Sequence, residues 1–376
     1  VIDYSLDTNQ FFPTGSLARG ALEEAAEFYT NILNDTLNPI VPPVYDSPRT
    51  HVEWFWNISI PDPSGTSQLE LPGPTIGADD YRIYVGARPH AAGTLAQAGP
   101  GGAGWGHTAP TGSPNSQDNT QISLINNAFN ALIQTRGETS GFAAWGGSIS
   151  FDIDTPWHFN HETPVPGTMV DLYTVALHEL GHTLGLGAST AWNGLRNEAL
   201  TEFLGPLAMA AYGGPVPLGP DDNHWAAGVG STVYSGTATQ TASLTPSVSP
   251  GIRKRVTVLD GAALVDIGWE LGPLPGVQGD YNGDSIVNSV DYTIWRNTRG
   301  KSGPGLAADG NNNYSIDRGD YTIWKSSFGP GGAGQGGTMS TLVPEPNTAI
   351  YLFAATIALM GFRRRSRSKY GALGVF

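Results

Sequence analysis

Apolar positions between Val1 and Gly272 switch between two periods. Leu22, Ala25, Ala26, Tyr29, Ile32 and Leu33 recur every three or four residues, the spacing that gathers side chains on one face of a helix. HVEWFWNISI, residues 51–60, then alternates: Val52, Trp54, Trp56, Ile58 and Ile60 share one side, which predicts a half-buried strand. Further strands are predicted at Tyr81 to Arg88 and Gly147 to Asp152. A helix is predicted from Met169 to Leu184, with Asp171 near its positive end, and a short one from Asp260 to Ile267, ended by Gly268. Residues 90–120, rich in Gly, Ala and Pro, follow neither period and read as loop. One helix, then strands, then a long helix make residues 1–272 an α+β domain.

After residue 272 the pattern changes. LGPLPG, 271–276, reads as a linker. DYNGDSIVNSVDYTIW at 280–295 returns as DGNNNYSIDRGDYTIW at 309–324, so residues 273–330 hold a duplicated unit. Each copy sets oxygen-bearing side chains at positions 1, 3, 5, 9 and 12 of a loop: Asp280, Asn282, Asp284, Asn288 and Asp291, then Asp309, Asn311, Asn313, Asp317 and Asp320. With the carbonyls of Ile286 and Ser315 at position 7, that spacing can surround Ca2+ with oxygen just before a helix at DYTIW. The pair resembles a type I dockerin module, which implies a cohesin-like protein partner. Ser285 and Tyr314 stand where such loops carry glycine, and Asp stands at position 12.

GPGGAGQGG begins a flexible stretch that extends to residue 342. From 343 to 369 come Pro344, Glu345 and Pro346, an apolar run from Thr348 to Phe362, and a basic block of Arg363, Arg364, Arg365, Arg367 and Lys369. The run is shorter than the roughly 20 residues of a stable membrane span, and its flank is basic. This order resembles a PEP-CTERM sorting signal, which implies a secreted or cell-surface bacterial protein and a tail-processing enzyme as partner. A signal peptide is expected to have preceded Val1.

Charge and cysteine narrow the chemistry. The chain of 376 residues is long enough for two domains, and its net charge of −14, from 19 Lys and Arg against 33 Asp and Glu, argues against a nucleic-acid partner. With no cysteine, there is no disulfide, thiolate metal site or thiol nucleophile.

The candidate chemistry lies in HELGHTLGLGAS, 178–189. His178 and His182 sit one helical turn apart and can share one Zn2+, while Glu179 is placed to act as general base on zinc-activated water. Gly185 and Gly187 are expected to end the helix within a turn of His182. The segment resembles a matrixin-like or leishmanolysin-like metzincin over most of residues 1–272, which implies a zinc endopeptidase acting on protein or peptide substrates. WGGSISFDIDTPWHF, 145–159, resembles the strand and acidic loop before the active-site helix, with Asp152 and Asp154 as further calcium-binding candidates. GTLAQAG, 93–99, resembles the edge strand on which substrate pairs. Metzincins take a third histidine at the position held here by Ala188. In leishmanolysin-like enzymes an insertion precedes that ligand, which points to His224; His158 and His161 are alternatives, and His51, His90 and His107 lack motif support. Asp221 or Asp222 is placed to hold a ligand's other ring nitrogen. ASLTPSV, 242–248, resembles the methionine turn under the metal, with Leu244 in methionine's place.

Two other readings remain open. Glu198 or Glu202 could serve as third ligand in a gluzincin-type peptidase, or the chain could be an inactive metzincin-fold surface or docking protein.

Overall fold

The computed structural model describes residues 1–138, 145–234, 236, 238–272, 278–282, 287–311 and 313–328, all within one compact unit, Val1–Gly332. Asp284, the backbone of Ile286, most of the 271–276 linker, and the 331–342 and 343–369 segments lie outside the described residues.

The architecture is mixed α+β. β1 (Ile2–Asp3), β5 (Arg82–Arg88) and β8 (Gly146–Asp152) run parallel, and β6 (Ala96–Pro100) closes the sheet edge antiparallel to β8. Alternation sorts β5 between two cores. Ile83, Val85 and Ala87 join the cluster that contains α1 (Leu17–Ile32) and α3 (Leu172–Thr183), whereas Tyr84 joins a second cluster. That second core belongs to a sheet in which β3 (Thr50–Pro61) pairs with β2 (Val44–Ser47), β4 (Gln68–Pro72) and β7 (Gly102–His107). Val52, Trp54, Trp56, Ile58 and Ile60 of β3 are all buried there, as their alternation predicts.

The structure corrects the loop expected over 90–120. β6 and β7 both fall inside it, and α2 (Ser116–Thr135) begins before its end. Glycine and alanine weaken strand propensity, but β3 and β8 supply the hydrogen-bonding partners that composition does not reveal. α2 itself is signalled locally. Asn115 accepts from Asp118 N at 2.9 Å and Asp118 returns the bond to Asn115 N at 2.9 Å, a capping box ahead of Ile122, Phe129 and Ile133 at helical spacing.

The α3 helix starts at Leu172 rather than Met169. Val170 and Asp171 are extended and pair with Trp157 and His158, and Asp171 is the N-cap. α4 (Thr190–Gly194) and α5 (Pro206–Tyr212) follow, then α6 (Val258–Asp266), whose turn ends at Gly268 with φ +117°. In the repeat, α7 (Ser289–Thr298) and α8 (Arg318–Ser327) share a separate small core of Tyr281, Trp295, Ala308 and Ile316. Among the described residues no helix is long and apolar enough to cross a membrane.

Candidate active site

Helix α3 is fixed at both ends. At its start the buried Asp171 accepts from Thr174 N at 3.2 Å and Oγ1 at 2.7 Å, and pairs with Arg253 through bonds of 2.9 and 2.7 Å. At its end the carbonyls left without helical partners accept from the Tyr81 hydroxyl, at Thr183, and from Trp269 Nε1 at 2.7 Å, at Leu184. This rigid helix presents His178 and His182 one turn apart.

The chain then turns through Gly185 (φ +103°) and Gly187 (φ +70°). Glycine at 187 is required twice over: its φ is left-handed, and a Cβ there would lie 2.1 Å from the Asn223 carbonyl oxygen. That close approach brings the segment carrying His224 against the end of the helix. Ala188 lines the cavity, and the chain between it and His224 packs around Trp192, Phe203 and Trp225. The Trp192 and Phe203 rings stack at 4.2 Å between centroids. All three are buried, each contributing about 2–3 kcal/mol, so the insertion is held by its own core.

The three histidines converge. Nε2 of His178 lies 3.1 Å from that of His182 and 3.2 Å from that of His224, and the latter two are 3.1 Å apart. Each Nδ1 faces an acceptor at 2.7 Å: Ser243 O for His178, Leu186 O for His182, and Asp221 Oδ2 for His224. Those acceptors assign the proton to Nδ1 in all three rings, so three Nε2 lone pairs face one another. Without a cation that arrangement is repulsive. Three nitrogens about 2.0–2.1 Å from a tetrahedral zinc ion would lie about 3.3 Å apart, close to the observed spacing. The donor set therefore fits zinc, and among the described residues this is the one such gathering of His, Asp and Glu.

Electrostatics agree with neutral rings at His178 and His182. Burial, and then the neighbouring rings, drive His178 well below its ordinary value, and burial brings His182 down to about 4. Burial pushes the Glu179 carboxyl up to about 8; a cation among the histidines would act against that shift. Glu179 lines the same cavity, of about 860 Å³, bounded by β6 on one side and residues 243–250 on the other.

Other expected residues lie elsewhere. Glu202 Oε2 accepts from Asn197 Nδ2 at 2.9 Å in a separate hairpin, and Glu198 is exposed in the turn beside it; neither lines the cavity. His158 contacts Thr163, His90 contacts Ser150, His51 contacts Asp46, and His107 contacts Thr108, while the His161 ring lies against Tyr173. Asp152 accepts from His90 N at 3.0 Å and from Thr155 Oγ1 at 2.6 Å.

In the repeat, Asp291 accepts from the amides of Tyr281, Asn282 and Asn288, and the Asn288 side chain caps α7. Asp320 accepts from Asn311 N and Asp317 N, and Asp309 from Asn313 N and Tyr314 N. The Asn311 and Asn313 side chains accept amides within the same loop. Tyr314 adopts φ +61°, the left-handed conformation for which such a turn favours glycine, and its hydroxyl donates to Leu271 O at 3.0 Å.

The residue that sequence reasoning missed is Asp260. Buried at the start of α6, it accepts from Ser243 N, Leu244 N, Thr257 and Trp225 Nε1, and so shapes the turn whose Ser243 carbonyl receives His178. The Thr257 and Asp260 spacing of a capping box was legible; the contacts across the fold were not. No curated protein and no solved structure matches the chain. Residues 127–201, from the middle of α2 through β8 and both helix histidines, match the Matrixin family, and that match joined to the His178, His182 and His224 cluster suggests a zinc metallopeptidase.

Proposed function

We propose that this chain is a zinc-dependent endopeptidase, with His178, His182 and His224 holding the metal and Glu179 as general base. The observation that carries the reading is the set of three Nε2 atoms turned on one point with every Nδ1 tied to an acceptor. Zinc there would supply Lewis acidity, acidifying water and polarising a peptide carbonyl. The chain's own residues do the rest. Glu179, next to His178 on the helix and in the same cavity, takes a proton from the attacking water and passes it to the leaving amine. β6, at the sheet edge with residues 93–98 lining the cavity, offers backbone groups to an extended peptide. The Nδ1 acceptors hold each imidazole in orientation and keep its Nε2 free of a proton.

The same proposal takes 1–272 as the catalytic domain and 273–330 as a dockerin-like calcium module able to engage a cohesin-like partner. Residues 331–342 are then a linker and 343–369 a sorting signal for surface export. The test of the enzyme reading is cleavage of casein or gelatin by the zinc-loaded protein, with and without chelator, beside Glu179→Ala. Cleavage should stop with chelator and in the variant, while the variant keeps its zinc. Turnover that survives removal of the general base, or of the metal, would refute it.

A further inference from the structure

Lys254 is an unusual residue to find inside this chain. It is 7 % exposed, and its backbone is fastened to the first turn of α3, where its N–H donates to Thr174 Oγ1 at 2.9 Å. From that anchor the side chain reaches the segment after Leu244, and Nζ donates to Thr245 Oγ1 at 2.7 Å and to Ser247 O at 2.6 Å. Both acceptors are neutral. Among the described residues no carboxylate forms an ion pair with this ammonium group, although Arg253 beside it has Asp171. An ammonium group has three donors, and two are used.

The position matters more than the burial. Lys254, Thr245 and Ser247 line the same cavity as His178, Glu179 and His224. Burying a cation without a counter-ion is costly, and burial lowers the lysine's own pKa, with Asp260 acting the other way. A carboxylate entering the cavity would reverse that cost. In a chain of net charge −14, this is a local positive feature in the lining of the cavity that holds the proposed reaction centre.

We propose that Lys254 reads a carboxylate on the substrate, carried by an acidic side chain close to the cleaved bond or by the substrate's own C-terminus. The inference rests on the peptidase reading for the identity of the ligand as a peptide. A purely structural lysine, serving only to tie residues 245–247 to α3, would affect acidic and neutral peptides alike. A lysine that pairs with substrate separates them, because a charge-assisted bond is stronger than a neutral one.

The test uses blocked peptides in which a single Glu is scanned along the sequence, each with its Gln counterpart, and one Gln peptide with a free C-terminal carboxylate. Binding is measured by titration calorimetry on the zinc-loaded Glu179→Ala protein, and cleavage on the unaltered protein by mass spectrometry. At one Glu position, or at the free terminus, binding should be about tenfold tighter than for the neutral counterpart. Which of the two pairs shows the difference identifies the source of the carboxylate. Lys254→Met should erase the preference and Lys254→Arg retain part of it. Where Lys254→Met does not fold, equal binding of Glu and Gln peptides in protein that keeps Lys254 still overturns the proposal, and a preference there that Lys254→Arg leaves undiminished overturns it as well. Equal binding of every pair, or a preference that survives Lys254→Met, overturns the proposal. Selective binding without any cleavage would overturn the peptidase reading instead, whereas cleavage without selectivity would leave that reading standing and remove this one.

Discussion

Asp260 accepts the Leu244 amide at 3.1 Å, and the same carboxylate accepts the Ser243 amide at 2.8 Å. It thereby sets the turn beneath the histidines from a different helix, α6. Since Ser243 O receives His178 Nδ1 at 2.7 Å, the orientation of a proposed zinc ligand depends on an aspartate one step removed.

Asp260→Ala would strand the buried donors of Ser243, Leu244, Thr257 and Trp225 together. Each unsatisfied donor costs about 1–3 kcal/mol, partly relieved by relaxation, so a loss of roughly 3–5 kcal/mol is expected in denaturant unfolding. Zinc affinity should fall about 10- to 100-fold, as for loss of a partner that orients a ligand. Unchanged affinity in a folded Asp260→Ala protein would show that the turn does not orient His178.

His224→Ala should remove zinc while leaving a folded chain, because the insertion is held by Trp192, Phe203 and Trp225 rather than by the histidine. Glu198→Ala and Glu202→Ala should retain zinc, measured by metal analysis after dialysis. Loss of metal from the glutamate variants, with retention in His224→Ala, would reverse the ligand assignment in favour of a gluzincin-type site.

Sequence alone revealed what depends on short range. β3 was legible because five large apolar residues alternate, and the breaks at Gly185 and Gly187 because glycine tolerates left-handed backbone. What stayed hidden depends on partners far along the chain. β6 and β7 are strands only because β8 and β3 complete their hydrogen bonds. Position 188 shows only that a histidine is missing there. That Gly187 passes the Asn223 carbonyl, and so brings His224 to the helix pair, is a property of the folded insertion. Lys254 reads as one more surface lysine until its burial is known.

Asp35 gives a pH dependence with a defined sign. Burial pushes this half-buried carboxyl up to about 6, against the Glu270 amide that it accepts at 3.1 Å. The folded state thus favours the protonated form. Its contribution is fully present below the unfolded value of about 3.9 and is lost as pH rises through the folded value. Asp35→Asn, which cannot ionise, should gain thermal stability relative to the parent chain between about pH 4 and pH 6, the window those two pKa values span. A difference in melting temperature that stays constant across that window would contradict the shift.

Calcium should stabilise the repeat. Loop 309–320 carries Asp309, Asp317 and Asp320 at the spacing of a calcium loop, and drawing three carboxylates round one point is favourable only with a cation among them. Tyr314, at φ +61°, pins the same loop to Leu271, so ordering the loop also orders that contact. Binding to the folded state alone adds about 2.7 kcal/mol at a hundredfold excess over Kd. The measurement is calorimetric unfolding of zinc-loaded protein with and without added calcium, since a chelator would also strip the zinc site. Calcium should raise the transition of the parent chain and raise it less after Asp309→Ala with Asp317→Ala. A transition indifferent to calcium in the parent chain would mean that these loops are closed by their own backbone hydrogen bonds, which Asp309 and Asp320 already accept, and need no ion.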